Sequence, residues 1–77
     1  MDRITAAQVF VAIAERGSIV AASETLDMSR AMVTRYLAEM EEWAGARLLH
    51  RTTRRLSLTD AGEATLARCR QMLEVAG

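Results

Sequence analysis

Two groups of residues in this chain have the types and spacing to do chemistry, and both are built on arginine. In the first, Ser29, Arg30, Met32, Thr34, Arg35 and Tyr36 fall within two turns of one helical segment. A guanidinium presents two N–H donors that match O6 and N7 of guanine, and a threonine can bond a phosphate or lay its methyl on thymine. A serine beside free helix amides suits a phosphate oxygen. In the second group, Arg47, Arg51, Arg54 and Arg55 lie between Trp43 and Thr59 with no acidic residue among them. The formal net charge is zero, from 10 basic and 10 acidic residues, and every basic residue is arginine. That sum argues against a polyanionic partner, whereas the segregation of the two signs creates a local cationic site. Each group also has a plainer reading: a solvated helix face whose arginines pair with nearby acids, and a solvated turn.

Other chemistries lack their parts. His50 is the only histidine and Cys69 the only cysteine, so an internal disulfide is excluded and a metal site has almost no ligands. No nucleophile–base pair and no glycine-rich phosphate loop accompanies His50, so the expectation is no catalysis and no cofactor. No apolar run reaches the roughly 18 residues of a membrane span, and no signal-peptide block follows Met1-Asp2-Arg3. The chain reads as cytoplasmic.

The elements that must position the arginines follow from periodicity and capping. With 51% hydrophobic residues but one Trp, one Tyr and one Phe, the core must be aliphatic and helical. Thr5 with Gln8 forms a capping-box pattern for a first helix, with Ile4 and Val9 as a staple and Val9, Phe10, Ile13 and Ala14 on its buried face. Gly17 ends it. Ser18 caps a second helix to about Leu26, with Val20, Ala21, Ala22 and Leu26 as its packing face. Ser29 caps a third, stapled by Met28 and Val33 and carrying Val33, Leu37, Met40 and Ala44 inward until Gly45. Two helices joined by so short a turn are the signature of a helix-turn-helix.

Beyond Gly45 the period changes. Leu48 and Leu49, the run Arg51 to Arg55 with Thr53 and Arg54 inside it, and Leu56 to Leu58 fit two short strands around a polar turn, a cationic wing able to reach an adjacent minor groove or phosphate. Thr59 then caps a fourth helix whose apolar stripe is Ala61, Thr65, Leu66, Cys69, Met72, Leu73 and Ala76. That stripe can pack on the first three helices, or Leu66, Cys69 and Leu73 can meet a second chain, or both. The expected fold is mainly α: a winged helix-turn-helix with a three-helix core, a two-stranded β wing and a C-terminal linker or dimerisation helix. The division is residues 1–58 for the winged helix-turn-helix and 59–77 for the last helix, which the family resemblance that follows would make the start of a linker helix after a DNA-binding domain.

From Val9 to Gly62 the chain resembles the N-terminal domain of LysR-type regulators. The pieces that carry the resemblance are Ala21-Ala22 after the Gly-Ser turn, the Val-Thr-Arg of the third helix, the passage from Glu41-Glu42 through Gly45 to Arg-Leu-Leu-His-Arg-Thr-Thr-Arg, and the closing Leu-Thr-Asp-Ala-Gly. The resemblance implies a sequence-specific binder of double-stranded DNA at pseudo-palindromic operators. It implies a homodimer through the last helix, and an effector sensed only by a larger domain outside these residues. It places Arg30, Ala31, Thr34 and Arg35 against bases or phosphates of the major groove, Arg51 on the backbone and Arg54 near the minor groove, with Ser29, Thr53 and Arg55 beside them. The chain departs from the family pattern most tellingly at Arg30, where a proline commonly opens the recognition helix and this chain has no proline at all, and also at Tyr36, where glutamine or histidine is usual, and at Asp27, where glycine is common. A protein-contact module is the alternative, motivated by the zero net charge and by Glu39, Glu41 and Glu42.

Overall fold

A computed structural model describes residues 2–51 and 56–76. The chain runs α1 (Arg3–Arg16), α2 (Ile19–Leu26), α3 (Arg30–Ala44), β1 (Leu49–Arg51), β2 (Leu56–Leu58) and α4 (Asp60–Ala76). Element types and order are those that periodicity and capping predict. Serines start α2 and α3: Ser18 Oγ accepts from the Ala21 amide at 3.0 Å, and Ser29 Oγ from the Met32 amide at 3.1 Å. Gly17 and Gly45 end α1 and α3 in the left-handed region, at φ 74° and 68°.

The start of α1 departs from expectation. Its N-cap is Asp2, whose carboxylate accepts from the Ile4 amide at 3.1 Å and from the Thr5 hydroxyl. Thr5 therefore supports the cap from inside the first turn instead of being it. The Thr5 hydroxyl and then the Ile4 amide hold the Asp2 carboxyl below its ordinary pKa. With the cap moved back, Ile4 is a helical residue left 36% exposed, and the Ile4–Val9 staple has no place.

The centre of the molecule is α1, which packs against α2, α3 and α4. Val9, Phe10 and Ile13 from α1 are fully buried with Val33 and Leu37 from α3, Leu48 and Leu49 at the head of the wing, and Cys69 from α4. Each such large side chain contributes about 1.5–3 kcal/mol by leaving water. Two further expectations fail locally. Val20 is exposed and Ser23 is buried in its stead, a polar side chain made tolerable because its hydroxyl donates to the Val20 carbonyl at 2.7 Å. Ala44 is exposed because the last turn of α3 runs past the core, as the exposure of every residue from 42 to 47 indicates.

On α4, Gly62, Thr65 and Cys69 are the buried residues, with Ala61, Leu66, Met72 and Leu73 half-buried beside them. The apolar stripe is thus largely consumed within the chain. Among the described residues, no helix is long and apolar enough to cross a membrane.

Candidate nucleic-acid interface

The reading surface begins with the turn that aims α3. Asp27 takes up a left-handed conformation at φ 55° and Met28 N–H donates to the Ser23 carbonyl at 3.0 Å, so the chain reverses over Asp27, Met28 and Ser29. An aspartate accepts this backbone more readily than most side chains do, which is how the turn forms without the usual glycine. Val33, Leu37 and Met40 are then drawn into the core, and that fixes the rotation of α3 about its axis.

The consequence is an exposed face carrying Arg30, Ala31, Met32, Thr34 and Arg35, with Ser29 exposed at its start. These expected residues are brought together on one side of the first two turns. Tyr36 is half-buried against the core and stands apart from them. Among the described residues neither Arg30 nor Arg35 has an acidic partner. This disposes of the reading in which the two arginines neutralise local acids. Ser29 spends a lone pair on the Met32 amide and keeps its own O–H to donate, and the first helix amides carry the positive end of the helix dipole. Apposed to a duplex, such a face offers two guanidiniums for base edges or phosphates and a capped helix terminus for a phosphate.

The wing is an antiparallel pair in the register Leu49 with Leu58, His50 with Ser57 and Arg51 with Leu56. Leu49 is buried, and Leu56 and Leu58 pack against the core, while the directly opposed His50 and Ser57 are exposed. Arg51 is the last residue of β1. Thr53, Arg54 and Arg55 lie outside the described residues.

Three positions hold wing and helices together, and of their roles only the cap made by Thr59 was expected. Glu41 of α3 accepts the Leu48 amide at 2.9 Å through Oε2, tying the far half of α3 to the entry of the wing. Thr59 acts on both sides of the hairpin base: its hydroxyl donates to the Arg47 carbonyl at 2.6 Å and accepts from the Gly62 amide at 2.9 Å, and its amide donates to the Leu48 carbonyl at 3.1 Å. Gly62 lets α4 lie directly on the backbone of Leu48. Thr59 carried the local signal of an N-cap, but the contacts of Glu41 and Gly62 span the fold and leave no mark in sequence spacing.

On the dimer side, the three expected residues separate. Cys69 is 2% exposed and belongs to the core of its own chain, whereas Leu66 and Leu73 are half-buried on the flank of α4.

Residues 4–63 match the model of the bacterial regulatory helix-turn-helix proteins of the lysR family. An HTH-type transcriptional repressor from Pseudomonas aeruginosa is 39% identical over 74 residues, 96% of this chain and 23% of that protein. An HTH-type transcriptional regulator from Xanthomonas campestris pv. campestris is 44% identical over 64 residues, 83% of this chain and 19% of that protein. The chain therefore spans less than a quarter of the length of these curated relatives. Among solved structures, the CbnR DNA-binding domain in complex with DNA superposes with a TM-score of 0.92 at 38% identity, covering 100% of this chain and 87% of that one. Full-length CbnR complexed with its target DNA gives 0.92 at 38% identity, covering 100% of this chain and 26% of that one. From the capped reading helix, the two-stranded wing and these matches together, the chain belongs to the lysR family of bacterial regulatory helix-turn-helix proteins.

Proposed function

We propose that this chain is the sequence-specific, double-stranded DNA-binding part of a bacterial transcriptional regulator, acting in the cytoplasm. The observation that carries the reading is the exposed, acid-free pair Arg30 and Arg35 on the capped start of α3, in a fold superposable on a LysR-family domain solved on DNA. In this reading α3 enters the major groove, with Arg30, Ala31, Thr34 and Arg35 against bases or phosphates and Ser29 at the backbone. Arg51, Thr53, Arg54 and Arg55 carry the wing to the phosphates and the adjacent minor groove. Residues 1–58 do the reading; residues 59–77 begin a linker helix through which two copies pair on a pseudo-palindromic operator. A small-molecule effector is sensed by a further domain of the whole protein.

The test is selection of bound duplexes from a random pool, followed by anisotropy titration of the winner and a scrambled duplex over a salt series. The expected outcome is an inverted repeat bound at least ~10³-fold above the scrambled duplex, with log K falling steeply with log salt. Equal, weak binding to both duplexes would give the lead to a protein-contact role.

A further inference from the structure

The charges of α3 run against its own dipole. An α-helix carries partial positive charge at its N-terminus and partial negative charge at its C-terminus, so acids suit the first turn and bases the last. In α3 the first turn holds no acid and opens with Arg30, and the last turn holds no base and contains Glu41 and Glu42. Each end bears the sign that destabilises the helix, so stability is not what keeps this order. Side-chain charge and backbone dipole add, making the start of α3 positive and its end negative. Position about the axis is a second observation. Glu42 follows Arg35 by seven residues, two turns of helix, and so lies on the same outward ridge, opposite Val33, Leu37 and Met40. Of the three glutamates on α3, Glu41 spends its carboxylate on the Leu48 amide and Glu39 is half-buried. Glu42 is exposed and, among the described residues, makes no ion pair.

We propose that Glu42 is a specificity-determining residue that acts by repulsion, penalising duplexes that do not seat the first two turns of α3. The proposal rests on the DNA reading above and deepens it. On a matching duplex the base contacts of Arg35 and its neighbours fix α3 by its start, and Glu42 stays about 10 Å further along the axis at 1.5 Å per residue. That is about one screening length at 0.1 M salt, so its repulsion from the nearest phosphates is small. A non-matching duplex offers no base seat and is held by phosphate contacts alone. The helix can then lie along the backbone, and its outward ridge brings Glu42 onto the phosphates that attract Arg35. A like charge set against the wrong partner raises selectivity without adding a contact to the right one. The zero net charge of the chain works in the same direction, because it cancels the general attraction that would hold the chain to any duplex.

The unaltered chain, Glu42→Gln and Glu74→Gln are titrated by anisotropy against a duplex with one selected half-site and against a scrambled duplex, at roughly 0.05 M and 0.3 M salt. Glu74, an exposed acid on α4, controls for the change in net charge. At the lower salt, Glu42→Gln is expected to bind the scrambled duplex at least ~3-fold more tightly while its affinity for the half-site changes less than ~2-fold, so that its preference falls. The difference shrinks at the higher salt. Glu74→Gln keeps the preference of the unaltered chain. The urea midpoint of Glu42→Gln is no lower than that of the unaltered chain, since the substitution removes a charge from the wrong end of the dipole. Equal gains on both duplexes, the same loss of preference in Glu74→Gln, or a lowered urea midpoint overturns the proposal and leaves the DNA reading standing. An unaltered chain with no preference for the half-site overturns both.

Discussion

A methyl group placed on Gly62 would lie 2.0 Å from the carbonyl oxygen of Leu48. That separation is far inside contact distance and the obstacle is backbone, so neither side can yield by turning a side chain. The α4 helix touches the base of the wing only because position 62 has no side chain. Gly62→Ala is expected to destabilise the domain by about 3 kcal/mol despite the better helix propensity of alanine. Urea unfolding followed by circular dichroism measures this; a midpoint equal to that of the parent chain would show that α4 can lift off without loss.

Glu41 is expected to matter more than its neighbour Glu42. Replacing Glu41 by alanine leaves the part-buried Leu48 amide without its acceptor, a loss of about 1–3 kcal/mol. Glu42→Ala, at an exposed position, serves as the reference. Hydrogen exchange at the Leu48 amide locates the effect, and equal protection in both variants would assign that amide another acceptor.

For Arg35, truncation to alanine is expected to cost about 1–3 kcal/mol in operator affinity and to relax preference at one base pair. Repeating the duplex selection with the variant reads both quantities. A uniform loss across sequences, with the salt slope reduced by about one, would reassign Arg35 to a phosphate.

Burial pushes the Cys69 thiol above its ordinary pKa, since the thiolate loses its hydration in the core. The folded form binds the thiol proton more tightly than the unfolded chain does. The contribution to stability is therefore complete below the unfolded value, near pH 8.5 by ordinary thiol behaviour, and is lost as pH rises through the folded value. Alkaline denaturation of the parent chain and Cys69→Ala should show the variant losing less stability over that range. At neutral pH a disulfide reagent should label Cys69 only as fast as the domain opens, and immediate labelling would place the thiol at the surface.

What the sequence discloses about this fold is local. Ser18, Ser29, Gly17 and Gly45 act within a few residues of themselves, and each could be assigned from its own neighbourhood. Asp2 was missed because two capping patterns overlap, and only the hydroxyl direction of Thr5 distinguishes them. The reading face was legible because the inward-facing Val33, Leu37 and Met40 fix the outward-facing Arg30, Thr34 and Arg35. Glu41 and Gly62 were not legible as contributors. Their partners lie on other elements, and nothing in a helical period says which flank of α4 closes on the core and which stays open.

Thr59 gives the domain a mechanical property. Its hydrogen bonds join the strand that enters the hairpin to the first turn of α4, so the wing and the root of that helix move as one piece. Over its 17 residues α4 is about 25 Å long and is seated on α1 through the buried Cys69, so the wing, the helix root and the core are joined into one body. A force on the hairpin is therefore passed through Thr59 to α4 and to the core it packs on. By the reciprocity of coupled equilibria, a torque applied at the far end of that helix returns to the wing as a change in its grip.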